Sequence, residues 1–159
     1  MYNQFMTHPN ISELLAAWKP YLDSIRDWRD AVKNIIPKPS GCGPIYELKN
    51  PINRPDESFA IADMRHIKFA EPHYHTGDET EIYVVLTGSG LVVVGGKKTQ
   101  IKTGSTIVIP PDTAHFTIPT ENLVLAVINT PPFNINNAKT LSRSDPAVSF
   151  DLNQFERLT

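Results

Sequence analysis

The chain has 159 residues, of which 40% are hydrophobic and 20% charged, and this is the size and composition of one globular domain with its own core. The formal net charge of −2 argues against nucleic-acid binding, because that would need a basic face to neutralise phosphates. No apolar run approaches the roughly 18 residues of a membrane span, and the start MYNQFMTHPN lacks the basic and apolar regions of a signal peptide. We therefore expect no membrane partner.

Apolar residues recur at helical spacing over residues 11–35, Trp18 and Trp28 among them, and predict helices in the first third of the chain. Asn10, with a glutamate three residues later, predicts the start of the first helix. Pro20 interrupts the pattern and is expected to open a second helix or to kink the first. These apolar residues would form one stripe along the helices, called the helical stripe below. The helical stripe is expected to be buried, so a charge in place of Trp28 should destabilise the protein strongly.

The chain has one cysteine, Cys42, which cannot form an intramolecular disulfide, so we expect a reducing compartment and a cytoplasmic location. Cys42 lies in PSGCGP, the loop that ends the helical region. A nucleophilic cysteine would need a histidine brought close in the fold, and the sequence indicates none. We expect Cys42 to take no part in chemistry.

From residue 45 to about residue 130 the pattern changes to short β-rich runs separated by turn residues. The runs are SFAIADMRHIKF, EIYVVLTG, GLVVV, KTQIK, STIVIP, HFTIP and LVLAVIN. Gly95-Gly96 predicts a tight hairpin between two of them, and residues 102–104 predict another turn. Many short strands without interleaved helices predict a sandwich or a barrel. Residues 134–159 are expected to be an irregular segment laid over it, which could end in a short helix.

Two of the five histidines stand one residue apart in EPHYHTGDETEIYVVLTGSG, residues 71–90. On a strand, His73 and His75 would point to the same face with neighbouring side chains, which makes a bidentate imidazole site. Residues 76–80 predict a turn, and the next strand can return Glu81 beside the two imidazoles. Alternation along that strand places Glu81, Tyr83 and Val85 on one face, and Ile82, Val84 and Leu86 on the other.

A further histidine, His115, follows the β-branched run and turn of GSTIVIPPDTAH. Three imidazoles and one carboxylate, without a thiolate, suit a divalent transition metal: Fe, Mn, Ni, Zn or Cu. Four protein ligands on a metal that prefers six leave two positions for substrate or oxygen. His8 and His66 fit no ligand spacing and are expected not to bind metal.

These two stretches together resemble the paired motifs of the cupin superfamily. The first motif is similar to PHYH and EIYVVLTG, in which Gly88 follows the glutamate after six residues, and the second is similar to Gly104, five residues, Pro110 and His115. The resemblance covers residues 60–133. It implies a mainly β protein, a single small antiparallel β-barrel of the jelly-roll type with a metal site in its mouth, here with an N-terminal helical extension.

The spacing of the first motif leaves its carboxylate ligand open. Five residues, instead of three or four, separate His75 from Glu81, and Glu79 would give the three-residue spacing. Eight residues separate Glu79 from Gly88, however, and Glu79 falls in the predicted turn, so Glu81 is the preferred ligand and Glu79 the alternative. In the second motif Asp112 replaces a glycine, which a turn can tolerate.

We expect three segments: a helical extension over residues 1–44, packed on the barrel or on a dimer partner, the barrel over residues 45–133, and a C-terminal segment over residues 134–159. A small barrel leaves sheet edges open, and the helical stripe holds more apolar surface than one helix pair can hide. Small cupins commonly pair, so we predict a homodimer.

The resemblance does not give the reaction. Our first hypothesis is a metal-dependent enzyme, preferably an oxygenase, acting on a small, mostly apolar or aromatic molecule. The alternatives are a non-catalytic binding or sensing cupin, and a cupin-type isomerase or decarboxylase. Tyr83 shares the face of Glu81 and is the candidate catalytic residue, for handling a proton or orienting substrate; its alternative role is to fill the barrel.

Overall fold

The computed structural model of the protein describes residues 10–25, 27–148 and 152. Its helices are α1 (Ile11–Ser24) and α2 (Trp28–Val32), and its strands are β1 (Ile45–Leu48), β2 (Ser58–Asp63), β3 (His73–His75), β4 (Thr80–Val94), β5 (Lys97–Lys102), β6 (Thr106–Ile109), β7 (His115–Thr130) and β8 (Ala138–Thr140), with short 3₁₀ turns at Ile135–Asn137 and Pro146–Val148. Within these residues, neither helix has the length and apolar character needed to cross a bilayer.

The two longest strands, β4 and β7, form the centre of the sheet. They pair antiparallel from Thr80 opposite Thr130 to Val94 opposite His115. β2 and then β1 continue the sheet beyond β7, while β6 and β5 pair with the first and second halves of β4. β3 lies between β7 and β8. The result is a curled antiparallel β-barrel of the jelly-roll type with an N-terminal helical extension, which confirms the predicted fold class.

Helix α1 begins where the sequence predicts. The side chain of Asn10 accepts a hydrogen bond from the Glu13 backbone N–H at 3.1 Å, which satisfies one free donor of the first turn. Pro20 lies inside α1, and α2 begins only at Trp28, so the first of the two alternatives, that Pro20 opens a second helix, is wrong. Proline removes a single backbone hydrogen bond, and the packing of α1 on the sheet compensates for that loss.

The helices cover the outer face of the barrel. Trp18 of α1 and Trp28 of α2 are buried in one cluster with residues of β2, β4 and β7. Ile82, Val84 and Leu86 of β4 pack in this cluster. Tyr83 and Val85 of the same strand lie in the core inside the barrel. The predicted alternation along the start of β4 is therefore confirmed.

Gly88 lies where β4 changes which of its residues point inward. Before it, Tyr83 and Val85 face the interior; after it, Val92 faces the interior and Val93 faces outward. The pairing of β4 with β7 shifts in register between Val85 and Gly90, which makes this stretch a β-bulge. Beyond the bulge, the even-numbered instead of the odd-numbered residues of β4 face the interior. Gly88 has φ +84°, a left-handed conformation that glycine adopts without strain. Because of this bulge, the runs EIYVVLTG and GLVVV, which the sequence presents as two strands, continue as the single strand β4.

Replacing Gly88 with alanine should destabilise the fold more than the same change at Gly104. A Cβ at Gly88 would lie 2.2 Å from the backbone oxygen of Glu121 and 2.3 Å from that of Asn122, so backbone would have to move. Gly104 has a similar φ of +88° with nothing within 4 Å of its Cβ position, so it reports the conformational strain alone. We expect Gly104→Ala to cost about 1 kcal/mol and Gly88→Ala at least about 2 kcal/mol more.

Urea denaturation of the two variants measures the difference as a shift in midpoint at constant slope. Equal losses of unfolding free energy would show that the β4 bulge can relax to admit a side chain.

The C-terminal segment covers the barrel and adds a strand that the sequence analysis missed. β8 pairs with β3, with Ala138 opposite His75 and Thr140 opposite His73. Farther on, Val148 and Leu152 are buried against outward-facing residues of the sheet. The expected final helix falls in residues 149–159, of which the structure describes only Leu152. The division of the chain into segments 1–44, 45–133 and 134–159 stays a prediction.

Candidate metal centre

Four side chains meet at one end of the barrel interior. The candidate ligand atoms of His73, His75, Glu81 and His115 all lie within 4.8 Å of one another. β3 supplies two imidazoles, β4 supplies the carboxylate near its start, and β7 supplies the third imidazole at its first residue. Cross-strand pairing of His73 with His115 sets the third imidazole beside the first two. A group of this kind could hold a metal ion.

The turn before β7 is docked onto β3. The Asp112 backbone N–H donates a hydrogen bond to the carbonyl oxygen of His75 at 2.7 Å, which fixes the turn that leads to His115. Asp112 has φ +55°, a left-handed conformation that aspartate tolerates better than most residues. This explains how aspartate can stand where the second motif has glycine.

Each imidazole is oriented by a hydrogen bond at its Nδ1 atom. The acceptors are the Glu71 carbonyl oxygen for His73 (2.9 Å), the Glu79 carboxylate for His75 (3.0 Å) and the Thr113 carbonyl oxygen for His115 (2.9 Å). Because Nδ1 carries the proton in each of these bonds, Nε2 is left as the nitrogen that can bind a metal. The three rings are therefore prepared to present the same nitrogen.

The Glu81 carboxylate lies between two of these nitrogens. Its Oε2 atom is 3.1 Å from Nε2 of His115, within hydrogen-bond geometry, and 2.9 Å from Nε2 of His75. The second approach does not meet hydrogen-bond geometry, so the buried Nε2 of His75 has no hydrogen-bond partner among the described residues. A buried polar atom is normally paired, and a cation bound by Nε2 and Glu81 would satisfy it. The four residues fit a metal.

The two nearby carboxylates dominate the electrostatics of the site. Burial lowers the pKa of His75, but the hydrogen bond to Glu79 and the closeness of Glu81 outweigh burial and raise that pKa to about 9, so a metal ion binding at Nε2 would displace a proton from it. Burial and repulsion from His115 lower the pKa of His73 to about 4. Burial raises the pKa of Glu81, yet the imidazoles of His115 and His75 outweigh it and hold that pKa well below its usual range. Glu81 therefore stays ionised and favours a cation at this point.

A cavity of about 400 Å³ opens onto three of the four side chains, those of His73, His75 and Glu81. Most of its wall is apolar and includes Ile45, Leu48, Met64, Val127, Phe133 and Ile135. Tyr83 also lines it, with its ring centroid 6.4 Å from that of His115. Burial, with Glu81 and Cys42 nearby, raises the pKa of Tyr83 well above its usual value, so its hydroxyl stays protonated and can donate a hydrogen bond.

Cys42 and His66 are not among the clustered side chains. Cys42 lines the cavity, but burial, with Glu81 and Glu71 nearby, raises the pKa of its thiol to about 12. It is therefore a poor nucleophile at neutral pH. His66 is exposed, and His8 lies outside the described residues.

Sequence reasoning missed the role of the residues behind His75. Glu79 was the alternative ligand, but its carboxylate contacts Nδ1 of His75 and lies outside the four-residue cluster. It is fully buried, and it accepts hydrogen bonds from the side-chain amides of Asn129 at 2.8 Å and Asn137 at 3.5 Å. The spacing of Glu79 after His75 was the one signal for it in the sequence, and nothing there pointed to the two asparagines.

Residues 67–129 match the sequence profile of the family described as Cupin domain. An uncharacterized protein of Methanocaldococcus jannaschii, MJ1618, is 35% identical over 71 residues, which is 43% of this chain and 56% of that protein. The aligned part thus spans little more than half the length of this relative.

Solved structures show the same fold. Streptomyces PAC13, solved with uridine, superposes with a TM-score of 0.59 at 12% identity over 70% of this chain and 88% of that one. A protein from Planctomyces limnophilus gives a TM-score of 0.58 at 22% identity over 68% and 91% of the two chains. The matched profile covers β3 to β7 almost completely, the strands that bring the three histidines and Glu81 together. Residues 67–129 therefore form a cupin domain.

Proposed function

We propose that His73, His75, Glu81 and His115 bind one divalent transition metal and that the protein is a metal-dependent enzyme acting on a small organic molecule. The observation that carries the proposal is the convergence of three oriented imidazoles and one ionised carboxylate within 4.8 Å, with the buried Nε2 of His75 lacking a hydrogen-bond partner among the described residues. A metal ion is the ligand that would satisfy this arrangement.

The donor set narrows the metal to a class. Three nitrogens and one oxygen without a thiolate suit Fe, Mn, Ni, Zn or Cu. When bound, such a metal supplies Lewis-acid chemistry and coordination positions that the protein does not fill. Our preferred activity is that of an oxygenase; the alternatives are a cupin-type isomerase or decarboxylase and a non-catalytic binding or sensing role.

The cavity wall favours a substrate with a large apolar part. A volume of about 400 Å³ lies in the usual range for small-molecule sites. Apolar side chains such as Leu48, Met64 and Val127 would hold the body of the molecule, and its polar group would lie toward the histidines. Tyr83 would orient that group by donating a hydrogen bond from its hydroxyl. PAC13, which has the same fold, was solved with uridine and is described as a nucleoside dehydratase, so nucleosides belong among the molecules to test.

Elemental analysis of protein purified without added metal tests the first part of the proposal. We expect close to one transition-metal ion per chain, or uptake of one on addition of Fe, Mn, Ni, Zn or Cu. A thermal-shift screen of small organic molecules on the metal-loaded protein then identifies ligands, and oxygen consumption with those ligands tests the oxygenase. Protein that takes up none of the five metals would contradict the site. Ligand binding without oxygen consumption or product would leave the non-catalytic role.

We also propose that the protein is a homodimer and that it is located in the cytoplasm. The proposed location rests on the single cysteine, Cys42. The helical stripe no longer supports the dimer, because Trp18 and Trp28 are buried against the protein's own sheet. The support now comes from exposed apolar side chains, of which Ile36 and Ile135 are 91% and 71% exposed. Light scattering at micromolar concentration should give about twice the chain mass of 17.8 kDa. A mass of one chain would contradict the dimer.

A further inference from the structure

A fully buried carboxylate, that of Glu79, lies directly behind one histidine of the candidate metal centre. We infer that Glu79 is a positioning residue for the metal: it holds the His75 ring in the orientation and tautomer that present Nε2 to the ion. The inference rests on the proposed metal binding and assigns a role to a residue that does not touch the metal.

The carboxylate of Glu79 is itself held in place. Its Oε1 atom accepts hydrogen bonds from Nδ1 of His75 at 3.0 Å and from the Asn129 amide at 2.8 Å, and its Oε2 atom faces the Asn137 amide at 3.5 Å. An isolated buried carboxylate is strongly unfavourable, so three donors converging on one such group specify its position. Because Glu79 is fixed in this way, the orientation of the His75 ring that it contacts is fixed as well.

His75 differs from the other two histidines in this respect. The Nδ1 atoms of His73 and His115 face backbone carbonyl oxygens, whereas that of His75 faces a side-chain carboxylate. A carboxylate behind a ligating imidazole makes the imidazole a stronger ligand than a neutral carbonyl does, and removing such a partner typically weakens metal binding by 10- to 100-fold. His75 is therefore the ligand most dependent on a residue outside the cluster.

The same contact joins the metal centre to the C-terminal segment. Asn137 ends the 3₁₀ turn that leads into β8, and its carbonyl oxygen accepts hydrogen bonds from the Thr76 backbone N–H at 2.9 Å and from the Thr76 hydroxyl at 3.3 Å. Thr76 begins the turn that carries Glu79. The C-terminal segment thus holds both the carboxylate and the turn that positions it.

The test uses Co²⁺ as the probe, with affinity measured by chelator competition and the ligand environment by visible absorption. We expect Glu79→Gln, which keeps the size and an acceptor but removes the charge, to weaken Co²⁺ binding by about 10- to 100-fold and to change the Co²⁺ absorption spectrum. Glu81→Gln, which alters a proposed ligand, should weaken binding more. Asn129→Ser, which removes one donor to Glu79, should weaken it less but in the same direction, and it serves if Glu79→Gln does not fold.

Glu57→Gln is the matched control, because Glu57 is also a buried glutamate but pairs with Trp18 and Arg54 away from the cluster. It should lower the melting temperature and leave Co²⁺ affinity and spectrum unchanged. Wild-type protein that binds no Co²⁺ or other metal would overturn the proposed function and this inference together. Normal wild-type binding with unchanged affinity and spectrum in Glu79→Gln and Asn129→Ser would overturn the inference alone. A loss in Glu79→Gln equal to or above that in Glu81→Gln would instead make Glu79 a ligand.

Discussion

Changing any one of His73, His75 or His115 to alanine is expected to weaken metal binding by more than about a hundredfold, above the loss typical of an outer partner. Each change removes one of four converging donors, and the cluster offers no nearby substitute among the described residues. Elemental analysis of the purified variants, followed by metal titration, measures the effect. Unchanged metal content in all three variants would refute the metal site.

The three variants differ in what they leave behind in the fold. His115→Ala removes the imidazole that lies against the Glu81 carboxylate, and His75→Ala removes one hydrogen-bond donor of Glu79, so each change leaves a buried carboxylate with fewer polar contacts. The Nδ1 hydrogen bond of His73 goes to a backbone carbonyl oxygen, so His73→Ala is the variant that best separates metal loss from stability loss. His66→Ala, at an exposed histidine outside the cluster, is the matched control and should keep full metal content.

Local periodicity was sufficient to predict the faces of the first part of β4, before Gly88. Strand geometry makes alternate residues share a face, so Glu81 and Tyr83 could be placed together before any fold was known. The same rule placed His73 beside His75. It worked because these segments are regular strands whose two faces meet different environments: the barrel interior on one side and, for the start of β4, the helices on the other.

The sequence could not reveal the group around Glu79, because its partners are distant along the chain. Asn129 is 50 residues away and Asn137 is 58 residues away. Strand β8 escaped prediction for a related reason: it has only three residues, and its pairing with β3 depends on how the C-terminal segment returns across the barrel. Periodicity within a segment reports local geometry and carries no information on such contacts.

Of the two alternatives predicted for Pro20, a second helix opening there is wrong because the packing of α1 on the sheet outweighs the local effect of proline; a kink in α1 stays a prediction. Proline lowers helix stability by about 3 kcal/mol in an isolated helix. Leu14 and Trp18 of α1 are both buried against the sheet. Burial of such side chains contributes about 2–3 kcal/mol each, which is enough to keep α1 continuous through the proline. Propensity alone therefore placed the helix boundary too early.

The largest loss of stability is expected from Trp18→Glu. Trp18 is fully buried, stacks on Phe59 with ring centroids 5.0 Å apart, and has its indole N–H 3.4 Å from the buried carboxylate of Glu57. The variant loses about 3–5 kcal/mol of packing and also sets a second buried carboxylate near the first. Since small domains are stable by only about 5–15 kcal/mol, we expect protein that is unfolded or melts far below wild type in circular dichroism.

Trp28→Glu, which the sequence alone suggested as the disruptive change, should be milder. The guanidinium groups of Arg29 and Arg65 lie 5.1 Å and 4.9 Å from the Trp28 ring centroid, so a carboxylate there would have cations close by. Ala16→Glu, at an exposed residue of the same helix as Trp18, controls for the added charge and should leave the melting temperature nearly unchanged. Trp18→Phe, which keeps an aromatic ring, should lose only about 1–3 kcal/mol and so remain measurable if Trp18→Glu does not fold. Unchanged melting of both Trp18 variants would show that α1 is not needed to cover the barrel.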